Sequence, residues 1–200
     1  MTDDRPLLPI LGGRPVERSD AARNRVAILE AAQRLIARDG IDAVTMDAVA
    51  AEAGVGKGTV FRRFDSRQGL MAALLDHSES AWQAAILFGP PPLGPDADPM
   101  ERLLAFGPSR LETTLANLDL IRHATGGPSG RSQPPYVFAV SHLRHLLEQL
   151  GVRGDLPLLA TALMAPFEVH VLEQQTRRDG FTVERIKAGW IDLVRRIVRD

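Results

Sequence analysis

The chain has 200 residues, a formal net charge of −1 and no cysteine. That length suits one large domain or two small ones, and 44% hydrophobic with 24% charged residues excludes wholesale disorder. The lack of Cys removes disulfides, thiolate catalysis and Cys-ligated zinc. No window approaches the roughly 20 apolar residues of a membrane span. The N-terminus has neither the basic start nor the long apolar core of a signal peptide. A cytoplasmic protein is therefore expected. Charge is spread evenly: residues 1–67 carry 11 Lys and Arg against 10 Asp and Glu, and residues 68–200 carry 13 against 15. A nucleic-acid reading must come from local clustering instead.

Residues 1–19 read as a flexible arm, with Pro6, Pro9, Pro15 and the Gly12-Gly13 pair and no periodic apolar face. Its arginines Arg5, Arg14 and Arg18 suit a solvated tail or an arm touching DNA. From Asp20 the pattern is helical, with Val26, Leu29, Ala32 and Ile36 at three- and four-residue steps and Ile28 and Leu35 widening the stripe. Gly40 ends that helix. Thr45 is a good N-cap for a second helix over Met46 to about Ala53, stopped at Gly54. A third short helix runs from Gly56 or Lys57 to about Phe64. Ser66 caps a fourth, which reaches Phe88.

The next segment, Phe88 to Pro99, holds five prolines and two glycines and is a loop. A short helix over Met100 to Phe106 and another over Ser109 to His123 follow. Thr125 to Pro135 is a second loop, and Tyr136 to Leu150 is helical. Leu156 to Arg178 reads as one long apolar helix, kinked where Pro166 lacks a donor. Thr182 caps the last helix, with Ile186, Trp190, Leu193 and Ile197 on one face. No β pattern is present, so the expected fold is all-α, of roughly nine helices. The expected divisions are an arm at 1–19, a three-helix domain at 20–66 and a roughly six-helix C-terminal domain at 67–200.

The most informative stretch is Thr45 to Phe64, TMDAVAAEAGVGKGTVFRRF. It reads as helix, glycine turn, short helix. Ala48, Val49 and Ala50 allow close packing, Gly54 allows the turn, and Val55 plugs the core beneath it. The second helix presents Lys57, Thr59, Arg62 and Arg63, with Arg67 just beyond and only Asp65 opposing. Such a helix can enter a major groove; the same spacing also suits any three-helix core with an ordinary basic surface.

The residue types resemble the DNA-binding region of TetR-type transcriptional regulators. The match rests on Thr45, the run Ala50-Ala51-Glu52-Ala53-Gly54-Val55, then Lys57-Gly58-Thr59-Val60-Phe61, Phe64 and Leu70. It covers about 60 residues from Asn24; the remainder is similar only in being helical and of suitable length. The resemblance implies a homodimer that binds a near-palindromic double-stranded operator as a repressor and is released from it by a small-molecule effector; the residues themselves name no catalytic group, and no cofactor is expected. It assigns Thr45 and Lys57 to phosphates, Gly56, Thr59, Arg62 and Arg63 to the recognition helix, and Arg67 to the DNA backbone. Two departures stand out. Phe61 occupies a position commonly Tyr, which removes a phosphate-binding hydroxyl. Arg63 replaces a frequent His and can read guanine bidentately.

The resemblance also implies an apolar ligand pocket in the C-terminal domain. Trp82, Phe106, Leu118, Tyr136, Phe138, Met164 and Phe167 are its expected lining, although such residues at helical spacing also simply pack. Residues 156–178 and 182–198 are apolar on more than a narrow stripe, which suits a four-helix dimer bundle. A helical binding or interaction protein, with the helix-turn-helix as scaffold only, is the alternative. GVGKGT fails as a P-loop, because Ala51 stands where Gly is needed and Gly58 where Ser or Thr is needed. His142 and His145 with His123, His170 and Glu168 show no metal spacing that requires convergence. Ser129 lacks the strand of a nucleophile elbow.

Overall fold

The computed structural model describes residues 15–124 and 134–199, and among them there are ten α-helices and no strand. The helices are α1 (Pro15–Asp39), α2 (Met46–Ala53), α3 (Lys57–Phe64), α4 (Arg67–Phe88), α5 (Pro99–Ala116), α6 (Leu118–Ala124), α7 (Pro134–Gln149), α8 (Leu156–Met164), α9 (Val169–Glu173) and α10 (Val183–Val198). The chain divides into two compact units, one ending at Leu70 and the next beginning at Met71. Residues 1–14 and the glycine-rich stretch 125–133 lie outside the described residues, so the expected arm and second loop fall there for the most part. Residues 15–19, expected in the arm, belong to α1.

In the first unit, α1 contributes Ile28, Leu29, Ala31, Ala32 and Leu35 to a core shared with Val44, Met46, Val49, Ala50, Val60 and Phe64. The buried stripe is rotated from the expected one: Val26 is 40% exposed. Glu52 on α2 accepts from Arg34 at 3.1 Å and Arg38 at 3.2 Å on α1. These guanidiniums hold its carboxyl below the usual carboxylate range. Such exposed pairs orient the helices more than they stabilise them.

In the second unit the sequence-based element boundaries need two corrections. Expected as two helices, residues 99–116 form one, with Pro108 inside it. Leu103, Phe106 and Leu111 are all fully buried on both sides of the proline, and that burial outweighs one missing backbone bond. Asp98 starts the helix by accepting from Met100 N at 2.8 Å, with Pro99 in the first turn. Conversely, the expected long helix over 156–178 is not continuous. It consists of α8, a 3-10 turn over Ala165–Phe167, α9, and a π-helical turn over Gln174–Arg178. Pro166 does more than kink it: Glu168 is extended (ψ 136°), and the two halves bend by 43°.

The last helix, α10, begins at Thr182, whose hydroxyl accepts from Arg185 N at 3.1 Å. Ile186, Trp190 and Val194 form its buried face. Trp190 is the anchor. Its indole N–H donates to the Leu103 carbonyl at 3.2 Å, and its ring lies 6.1 Å from Phe106 and 5.1 Å from Phe167. This contact needs Gly107, because a Cβ there would lie 2.3 Å from the indole. Gly107→Ala is therefore expected to destabilise by about 1–3 kcal/mol through overpacking. The check is the urea midpoint followed by tryptophan fluorescence; an unchanged midpoint would contradict this seating of Trp190.

Candidate nucleic-acid interface and buried polar cluster

The turn between α2 and α3 is built by the backbone. Gly54 sits in the left-handed region (φ 67°, ψ 29°), where a Cβ would be strained. Its N–H donates to Ala51 O at 3.2 Å and the Val55 N–H to Ala50 O at 3.0 Å, the two bonds of a Schellman closure. Thr45 opens α2 by accepting from Ala48 N at 3.1 Å, which leaves its hydroxyl proton able to donate outward. After α3 the chain turns at Asp65 (φ 65°, ψ −45°), and the Ser66 N–H donates to Phe64 O at 2.7 Å to close a three-residue turn. Ser66 then accepts from Gly69 N at 3.1 Å and starts α4.

On α3, Val60 and Phe64 are buried, and the Arg25 guanidinium covers the Phe64 ring at 5.1 Å. The opposite face carries the expected residues, but in different states. Arg62 is exposed and Arg63 half-buried; neither makes an ion pair or side-chain hydrogen bond among the described residues. Thr59 is half-buried. Lys57 is engaged: its ammonium lies 2.7 Å from Asp47 Oδ1 and 5.7 Å from the Phe61 ring. Phe61 is 41% exposed, presenting an apolar ring where no hydroxyl is available. Arg67 is turned inward, donating from Nε to Val44 O at 2.7 Å and from Nη2 to Ile41 O at 2.9 Å. It ties the start of α4 to the 3-10 turn over Ile41–Ala43 that precedes α2.

Glycines add a feature that spacing alone did not single out. At Gly56 and Gly58 no atom lies within 4 Å of where a Cβ would be, and neither has a positive φ. Nothing inside the protein requires them, yet Gly58 within a helix costs about 0.5–1 kcal/mol relative to Ala. A surface kept free of side chains is suited to close approach by an outside backbone.

In the second unit most of the expected pocket residues meet in one aromatic cluster. Trp82 meets Phe106 edge-on at 5.4 Å and Phe138 at 6.2 Å; Met164 and Phe167 are buried in the same core. Tyr136 and Phe138 pack against it half-buried, while Leu118 is half-buried outside it. Beside Tyr136 and His142, this core holds polar groups that the sequence did not single out. Arg110 forms a bidentate pair with buried Glu79, at 2.7 and 3.0 Å, and covers Trp82 at 4.8 Å. The Trp82 indole N–H donates to Ser109 Oγ at 2.9 Å. His142, stacked on Phe138 at 6.2 Å and Phe106 at 6.0 Å, has a buried Nε2 with no partner; so does the Tyr136 hydroxyl. The signal in the sequence was slight: His142 follows Phe138, and Phe106 follows Arg102, by one helical turn. No three His, Asp or Glu side chains among the described residues are grouped to hold a metal.

Comparison with known proteins bears on this geometry. Residues 28–74 match the model described as bacterial regulatory proteins, tetR family. Over these residues the chain is similar to the helix-turn-helix domain of that family. An HTH-type transcriptional regulator of Staphylococcus aureus (strain USA300) is 38% identical over 53 residues. That match spans 26% of this chain and 29% of the relative's length. Beyond the tetR-type domain the likeness is one of fold. A protein from Rhodococcus sp. described as a TetR-family transcriptional regulator superposes with TM-score 0.59 at 21% identity, over 88% of this chain and 99% of its own. A transcriptional regulator from Saccharomonospora viridis, solved with choline, gives 0.59 at 22% identity, over 87% and 96%. NalD of Pseudomonas aeruginosa, the secondary repressor of the MexAB-OprM multidrug efflux pump, gives 0.54 at 18% identity, over 88% and 97%. These relatives are named as regulators, not enzymes.

Two outcomes follow. Arg67→Met should lower the stability of the tetR-type domain by about 1–3 kcal/mol, since two carbonyls lose their charged donor; an arginine serving DNA alone would leave the urea midpoint unmoved. His142 is held down to about 4 by burial and then by the Arg102 and His145 charges, from an ordinary 6.5. Between those values the unfolded chain binds a proton that the folded chain refuses, so stability falls as pH drops through that window. The full difference is worth up to about 3 kcal/mol. Urea midpoints from pH 7.5 to 4.5 should show that slope, and His142→Leu should flatten it.

Proposed function

We propose that the chain is a DNA-binding transcriptional regulator that recognises an inverted-repeat operator through α3, as a homodimer. The observation that carries this reading is the outer face of α3. Arg62 and Arg63 are unengaged there, beside Gly56 and Gly58 with open space over both. Arginine forks can read guanine edges in a major groove, and glycines admit a phosphate backbone closely. Thr45 adds an outward hydroxyl. Lys57 joins the interface by exchanging Asp47 for a phosphate, and Phe61 packs against the sugar edge. Arg67 supports the interface from within.

The second unit supplies the partner and the effector. The dimer forms through residues 156–178 and 182–198. Gly189, exposed midway along α10, has no atom within 4 Å of a prospective Cβ. It borders a cleft of about 250 Å³ between Pro166, Phe167, Gln175, Phe181, Ile186 and Trp190. A glycine with no internal reason there suits a closely approaching helix of a second copy. Trp82, Phe106, Tyr136, Phe138, Met164 and Phe167 line the effector site, with Leu118 at its margin; a fold neighbour solved with choline supports a small-molecule role for such a unit. Helix α4 contributes residues to both units and transmits the signal. Effector binding favours a spacing of the two α3 helices that no longer matches grooves about 34–36 Å apart, which makes the protein a cytoplasmic repressor released by its ligand. Typical coupling of this kind is about 1–3 kcal/mol.

One pair of observations favours the alternative of a helix-turn-helix used only as scaffold: Lys57 and Arg67 are both engaged internally. Selection from a random double-stranded DNA pool, repeated across salt, decides. An inverted repeat whose affinity falls steeply with salt supports the regulator, since phosphate contacts release counterions; no enrichment supports the scaffold. With the selected operator, replacing Arg62 and Arg63 together by Ala should weaken binding by at least about 100-fold, at 1–3 kcal/mol per base contact. Gly58→Ala should act in opposite directions, raising stability by about 0.5–1 kcal/mol while weakening DNA binding. Unchanged DNA affinity in Gly58→Ala would remove the close-approach argument.

A further inference from the structure

Two guanidiniums are buried in or against the core of the second unit, and the chain treats them differently. Arg110 is neutralised by Glu79 through two short bonds, 2.7 and 3.0 Å. Arg102, only 8% exposed, pairs with no carboxylate among the described residues. Its side chain donates only to carbonyls, from Nε to Leu93 O at 3.4 Å and from Nη2 to Ile86 O at 3.3 Å. Both bonds are long for N–H···O. Ile86 O belongs to the last turn of α4, so the negative end of that helix compensates the charge in part.

The unanswered charge acts on a second unanswered group, the His142 imidazole. Arg102 and Phe106 are one turn apart on α5, and Phe106 stacks with His142 at 6.0 Å. His142 Nε2 is buried without a partner, and its imidazole feels the Arg102 charge. Phe138 lies parallel to the same imidazole, 6.2 Å away, and Trp82 closes over Phe106 and Phe138. A guanidinium fork and an imidazole N–H are the donors a carboxylate needs, and the rings that pack on the imidazole are apolar.

We propose that the effector of this protein is a small organic monocarboxylate. Its carboxylate is held by Arg102 and His142, and its apolar or aromatic body lies against Trp82, Phe106 and Phe138. This rests on the reading that the second unit binds a small-molecule effector, and it names that effector's chemistry. A cationic ligand is disfavoured at this position by the same charge.

The test is calorimetry on the full-length, DNA-free protein with hexanoate, octanoate, benzoate and phenylacetate. Each is paired with its primary amide and the amine of the same carbon skeleton. At least one acid should bind ten-fold or more tightly than its amide, and the amines should not bind. Arg102→Gln should weaken that acid at least ten-fold and leave the amide unchanged, and His142→Phe should weaken it to a lesser extent. No binding by any acid, equal binding of acid and amide, or full affinity in Arg102→Gln would overturn the proposal. Where Arg102→Gln loses its native near-ultraviolet circular dichroism, the acid–amide comparison on the unaltered chain decides alone. The same acids are then added to the operator complex. An acid that binds and leaves operator affinity unchanged overturns its role as effector while the anion site stands. Calorimetry does not depend on operator selection, so failure of the DNA-binding reading is seen separately.

Discussion

Trp190 rests on the bare backbone of α5 at Gly107, and the second unit is organised around that seat. Its indole is held by a bond to the Leu103 carbonyl, so the ring cannot slide along the helix. From there the aromatic contacts run one way through Phe106 to Trp82 and the other way to Phe167. α10, α5 and the broken segment after α8 thereby share one core. Pro108, which by itself argues for a helix end, is tolerated because the residues around it are anchored from both sides. The same packing brings His142 between Phe106 and Phe138, where an imidazole cannot reach a protein partner for Nε2.

The first unit solves a different problem. Short helices such as α2 and α3, eight residues each, are not stable alone. They persist because α1 covers them and because the Gly54 turn satisfies the carbonyls at the end of α2. Arg67 contributes to this frame rather than to the outer surface: two carbonyls that precede α2 receive its donors. What remains outside is selective. The acidic and basic residues of the unit nearly balance in number, yet two arginines stay free while Lys57 is paired, which leaves a local positive face. That arrangement reconciles a helix-turn-helix with an even overall charge.

The treatment of buried charge separates structure from recognition in the second unit. A buried ion pair such as Glu79–Arg110 is weak evidence for stability but strong evidence of a satisfied site. Arg102 and His142 are the contrary case, a buried donor set facing no acceptor of its own chain beyond long carbonyl bonds. Native cores leave few such groups unmatched, and each calls for an explanation.

The sequence alone determined the local elements of the first unit. Thr45, Gly54 and Ser66, and Thr182 in the second unit, act through bonds to residues at most four positions away, so their roles as caps and turn were readable from residue type. The α3 boundaries and the basic residues along it follow from the same short-range rules and from the family pattern at Thr45 to Phe64. Tertiary structure decided what reaches further. It rotated the buried stripe of α1 away from Val26, carried α5 through Pro108, and broke 156–178 into four pieces. It turned Arg67 inward and paired Lys57 with Asp47. It also brought Arg102 within electrostatic reach of His142, 40 positions apart in the chain. These outcomes depend on which surfaces meet and which charges find partners. Periodicity records that a face is apolar; only packing determines the neighbour it meets.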